Sequence, residues 1–200
     1  MHTMQRPNAA PLGKTTIRPI ATMWLRSVAI CACLAAPGFA RTVMASEAPK
    51  LTDAEILGIY IQVNGFDIET ALLGRAQASS PAVRELATQV SSDHMAVRQG
   101  AYDLAAKCSV SPALPSGRNA VAVEHGRAMT KLMALKGNEF DKAYVQHEVA
   151  FHRAAVDAVR QALLPAAACP ALKAHFTEIL PALEHHYSET ASLARELTAR

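Results

Sequence analysis

The chain is 200 residues long, half hydrophobic but only 5% aromatic, with nine glycines. That balance speaks against a β-rich fold, which draws on aromatic and β-branched side chains, and suits packed helices rich in Ala, Leu and Val. The formal charge of +3 is unevenly spread: Arg6, Lys14, Arg18, Arg26 and Arg41 precede residue 46 with no acid among them, so the remainder carries fifteen Lys and Arg against all seventeen acids and no basic patch, which removes most grounds for binding nucleic acid.

Residues 1–45 read as a cleaved signal peptide. Arg26 precedes an apolar run from Ser27 to Ala36, and small-residue cleavage patterns follow at Gly38-Phe39-Ala40 and Val43-Met44-Ala45. Cleavage after Ala45 is the preferred reading, and Met23 would be the more typical start of such a segment. The run is too short for a membrane span, which takes about 20 residues. No second long apolar segment follows, so no transmembrane segment is expected. The expected product is periplasmic, a single domain over residues 46–200 that lacks tryptophan, because Trp24 is the only one.

Thr52-Asp53-Ala54-Glu55 predicts a capping box and a first long helix to about Ala78. Ser80-Pro81 opens a second, to about Lys107. Pro112, Pro115 and Gly117 mark a loop, and a shorter helix is expected over Val121 to Leu135. Asn138 is the predicted cap of a third long helix, with Asp141 at its third position, running to about Leu164. A fourth runs from Ala171 almost to the end. Pro181 inside it is expected to produce a kink.

Apolar stripes at helical spacing mark one face of each long helix: Ile56, Ile59, Val63, Thr70 and Leu73; Val83, Leu86, Val90 and Leu104; Val145, Ala155 and Val159; Leu172, Phe176, Ile179 and Leu183. Polar residues interrupt them at Asp67, His94, Glu148, His152 and His186. Asp67 lies 11 residues before the end of its helix, His94 and His152 each 13 after a start, and His186 12 before an end. All meet at one height only if the third helix starts at the end where the second started. The fold class predicted is therefore all-α: a ferritin-like four-helix bundle with a long crossover between the second and third long helices, carrying the short extra helix. The same topology brings Cys108 and Cys169 to one end and predicts a disulfide between them, which export permits.

Three imidazoles and an acid at one level suggest a metal site formed by Asp67, His94, His152 and His186, with Glu148 one turn before His152 within reach. Neutral imidazole and carboxylate suit Zn²⁺, Cu²⁺ or Fe²⁺. Asp93 and Glu69 are candidates for orienting an imidazole. The competing reading is a buried hydrogen-bond network without metal. His125, His147, His175 and His185 are expected to face solvent, and Met95, Met129 and Met133 to serve packing.

Asn64-Gly65-Phe66-Asp67-Ile68-Glu69, Ala78-Ser79-Ser80-Pro81-Ala82-Val83, Ser92-Asp93-His94, Phe140-Asp141-Lys142-Ala143-Tyr144, the His152 turn and Leu180-Pro181-Ala182-Leu183 with His186 resemble the bacterial exported family called domain of unknown function 4142. The resemblance covers most of 52–198 and implies a ferritin-like fold and an outer-membrane or envelope association. It also implies that Asp67 stands where that family usually carries Glu. The sequence departs from the di-iron pattern, because the residues three before His94, His152 and His186 are Ser91, Val149 and Leu183 rather than Glu. A mononuclear or inactive centre is the better match. Three functions follow: a periplasmic metal-binding bundle, a non-enzymatic envelope or stress interaction protein whose polar cluster only specifies packing, and, last, a small oxidoreductase. No nucleophile–base pair or phosphate loop is present, and no substrate is readable.

Overall fold

The computed structural model describes residues 50–199; the segment read as a signal peptide, 1–45, lies outside them. Every regular element among the described residues is helical. None is long and apolar enough to cross a membrane.

Helix α1 spans Asp53–Gln77 and opens on the expected capping box. The Glu55 N–H donates to the Thr52 hydroxyl at 3.3 Å, and the Thr52 N–H donates to the Glu55 carboxylate at 2.9 Å. Helix α2 spans Pro81–Lys107, α3 Arg118–Met133 and α4 Gly137–Ala158. A wider π-helical turn, Val159–Leu163, carries α4 into the short α5, Leu164–Ala166. Helix α6 spans Pro170–Thr198 and continues through Pro181, which is exposed.

Three local expectations need correction. Helix α3 begins at Arg118, because Gly117 turns the chain at φ +90° just before it. Asn138 does not cap α4, which begins one residue earlier at Gly137 (φ +57°), after Lys136. Asp141 instead serves α2: its carboxylate accepts the Ser79 N–H at 2.9 Å, the Ser80 N–H at 2.8 Å and the Ser79 hydroxyl. A buried acid thereby supplies the anion that the start of α2 lacks in its own first turn.

That contact gathers the end of α1 and the starts of α2 and α4 at one end of the domain. At the other, Asp53 accepts the Ala168 and Cys169 N–H groups at 2.8 and 2.9 Å. Cys108 and Cys169 are joined there as predicted, with Cα atoms 5.9 Å apart. Residues 108–136 therefore travel the length of the domain. The crossing chain passes so close to α1 that a Cβ on Gly58 would lie 2.0 Å from the Ala113 carbonyl oxygen, and the Ala113 N–H donates to Ala54 O at 2.9 Å. Helix α3 then lies against α1 and α4.

Helix α1 packs chiefly on α2, and α4 on α6. Two apolar cores result. One, toward the disulfide, holds Ile56, Leu57, Leu104, Leu163, Leu172 and Phe176. The other holds Val83, Ala87, Val90, Phe140, Tyr144 and Leu197. The buried face of α1 is wider than the expected stripe: Ile56, Ile59, Asp67 and Thr70 are buried as expected and Asn64, Ala71 and Gly74 are buried with them, whereas Val63 and Leu73 are only half-buried. Met95 and Met133 do not pack inside but are exposed.

Candidate metal centre

Between the two apolar cores lies a level of buried polar side chains. Each long helix supplies at least one: Asp67 from α1, His94 from α2, Glu148 and His152 from α4, His186 from α6. The helical period places each on the inward stripe, so desolvating it comes with folding rather than by local choice. All five residues singled out from the sequence are brought together. One nitrogen from each of His94, His152 and His186 lies within 4.8 Å of the other two. The same holds for one ligating atom each of Asp67, Glu148 and His152. The His94 ring centroid is 5.5 Å from that of His152 and 5.9 Å from that of His186, and the latter two are 5.5 Å apart.

The neighbours of the imidazoles assign their tautomers. The Asn64 amide nitrogen donates to the Tyr60 carbonyl at 2.8 Å, which turns Asn64 Oδ1 toward His94 Nδ1 at 2.9 Å. Nδ1 of His94 must then carry hydrogen, which leaves Nε2 as the nitrogen that faces Asp67 Oδ2, 3.0 Å away. His152 repeats the pattern. Its Nδ1 is 3.0 Å from the Glu148 carbonyl, and its Nε2 is 3.6 Å from the same Asp67 oxygen. For His186, Nε2 is 3.2 Å from Asp93 Oδ2, and Nδ1 is buried without a hydrogen-bond partner. Asp93 thus orients an imidazole as expected. Glu69 orients no imidazole of the cluster: it is bonded to His125 at 2.8 Å instead.

Charge at this level is divided unequally. Burial pushes the Asp67 carboxyl up, but the charge that His94 and His152 take on protonation and a proton shared with Glu148 outweigh it and hold Asp67 below the ordinary carboxylate range. Glu148 is driven well above that range by burial and by the charge of Asp67. Asp67 is therefore the anion and Glu148 the neutral acid. Beyond that shared proton and the Tyr144 hydroxyl beside Glu148, no donor is aligned on their four oxygens. Burial lowers His152 and His186 and keeps both neutral, the form that ligates. Such a set of buried His, Asp and Glu groups could hold a metal ion.

The chain belongs to the family described as a domain of unknown function, DUF4142, which matches residues 39–193. No curated protein and no solved structure matches the chain.

Within this DUF4142 chain, sequence reasoning missed Asn64 and Tyr144. Asn64 lies one turn before Asp67 on the same face, and that spacing was the available signal. Tyr144 lies one turn before Glu148, and Gly74 admits its ring: a Cβ there would meet Tyr144 Cζ at 2.7 Å. Three histidines expected in solvent are not there. The His125 ring stacks on Phe66 with centroids 4.2 Å apart. Nε2 of His147 is buried without a partner, and burial lowers that imidazole to about 4. His175 is 2.9 Å from the Tyr60 hydroxyl. Only His185 is exposed as expected.

Proposed function

We propose that the protein is an exported, periplasmic ferritin-like four-helix bundle that holds a single transition metal, Zn²⁺, Cu²⁺ or Fe²⁺, in its core. Asp67, His94, His152 and His186 are the ligands, with Glu148 beside them. The observation that carries the reading is the pair of imidazoles whose Nδ1–H groups are fixed by Asn64 and by a backbone carbonyl, so that both Nε2 atoms face one carboxylate oxygen. Lone pairs facing a carboxylate repel unless a cation or a proton lies between them. Ligand atoms about 2.1 Å from one ion stand roughly 3.0–3.5 Å apart at octahedral to tetrahedral angles. The 3.0 and 3.6 Å contacts of Asp67 are close to that spacing. Two carboxyls are too few to balance a dinuclear centre, so one ion is favoured.

A second reading rests on the shared proton between Glu148 and Asp67, which closes the cluster internally. The protein would then be a non-enzymatic envelope or stress interaction protein, and the cluster would only specify packing. Elemental analysis of untagged protein, after incubation with each metal and removal of excess, separates the two. Near one ion per chain supports the metal centre. Less than about 0.1 per chain, together with a His94→Ala variant that loses stability alone, supports the second reading.

A further inference from the structure

The cluster is sealed unevenly. His152 and Glu148 are 0% exposed, Asp67 1%, His94 6% and His186 9%. On the α1–α4 side, α3 covers the domain, with His125 packed on Phe66 next to Asp67 in sequence. Exposure rises in the other direction, toward α2 and α6. There His186 bridges inside and outside. Nδ1 is buried and unpartnered, and Nε2 meets Asp93, whose side chain is 48% exposed. One turn along α6, the carboxylate of Glu189 also acts on His186. One Glu189 oxygen is buried and unpartnered, while the other is 3.3 Å from Nε2 of the exposed His185.

We propose that the α2–α6 face is the mouth of the centre, and that His185, Glu189 and Asp93 receive a hydrated divalent cation and pass it to His186. Each of these groups takes a divalent cation, and together they replace hydration water stepwise. Two carboxylates at the opening raise the local cation concentration and the rate of encounter. His186 is the one ligand that both sides can reach, so it is the transfer point. The ligands His94, His152 and Asp67 complete the coordination behind it. His185 and Glu189 touch none of those three and act on the rate of loading, not on the final site.

This inference rests on the metal reading, and one experiment separates the two. Chelator-stripped, untagged protein is mixed with Co²⁺ alone, loading is followed by the visible d–d absorption, and the final stoichiometry is measured. The variant His185→Gln/Glu189→Gln is expected to load at least about threefold more slowly and to reach the same stoichiometry. Glu69→Gln, on the opposite face, is expected to load at the wild-type rate. Equal rates in the wild type and the double variant, or an equal slowing by Glu69→Gln, overturn the α2–α6 route while leaving the centre intact. Wild-type protein that takes up no Co²⁺ here and no Zn²⁺, Cu²⁺ or Fe²⁺ in parallel incubations overturns the centre and the route together.

Discussion

Asn64 fixes the tautomer of His94. Its amide is itself fixed by the Tyr60 carbonyl, so the 2.9 Å contact to Nδ1 leaves Nε2 as the nitrogen facing Asp67. Replacing Asn64 by Leu removes the acceptor and frees the ring to turn. Loss of an orienting partner of this kind typically weakens a metal site about 10- to 100-fold. Competition titration with a chromogenic chelator measures it, and unchanged affinity would show that the ring is held by other contacts.

The two close approaches in the fold predict destabilisation by a single methyl. In Gly74→Ala the new carbon meets the Tyr144 ring at 2.7 Å and the Ala87 methyl at 2.9 Å; in Gly58→Ala it meets the crossing backbone at 2.0 Å. Overpacking of this sort costs about 1–3 kcal/mol. Gly58→Ala is expected to be the worse of the two, because backbone cannot swing aside. Denaturant midpoints of the two variants check the order.

The Cys108–Cys169 bond closes a loop of 61 residues in sequence separation. On loop-entropy grounds a closure of that size stabilises by about 4 kcal/mol. Cys108→Ser/Cys169→Ser is expected to unfold at correspondingly lower denaturant. Adding reductant to that variant should change nothing further.

Acid should destabilise the protein below neutrality. Burial lowers His147 to about 4, and lowers His152 and His186 as well. These groups stay neutral in the fold but take up protons on unfolding. Their contribution is complete above the unfolded value near 6.5 and is lost as pH falls through the folded values, about 4 for His147. Glu148 has the opposite sign. Its value is raised by burial, so its contribution is present at low pH and lost as pH rises through the folded value. Three lowered imidazoles outnumber the one raised carboxyl, so urea midpoints of metal-free protein should decline from pH 6.5 to 4, and His147→Leu should flatten that decline.

Asp67, His94, Glu148, His152 and His186 were legible because a polar residue on an apolar stripe is conspicuous at helical spacing. The crossover was legible because two cysteines and a common height demanded the same topology. The rest depended on contacts between distant segments, which spacing does not encode. Asp141 has the position of a helix-start acid but serves a different helix, 61–62 residues away in sequence. His125 and His147 fall off the expected stripes, and only the placement of α3 over α1 and α4 encloses them. The π-helical turn after Ala158 is invisible to a 3.6-residue period, because Val159 and Leu163 remain apolar in either geometry.

The division of the domain into an α1–α2 pair and an α4–α6 pair has a consequence for assembly. Each pair joins neighbours in sequence through a short connection and can form locally, but neither owns the centre. Asp67 and His94 come from one hairpin; Glu148, His152 and His186 come from the other. The coordinating set exists only after the hairpins dock, so a bound ion acts as a clasp across the last interface to form. Residues 108–136 are not the only covalent tie between the halves, because Cys108 and Cys169 link them at the end where that segment starts. A protease cut near Gly117 would leave the two hairpins tethered and the ligands in register, until reduction let them part.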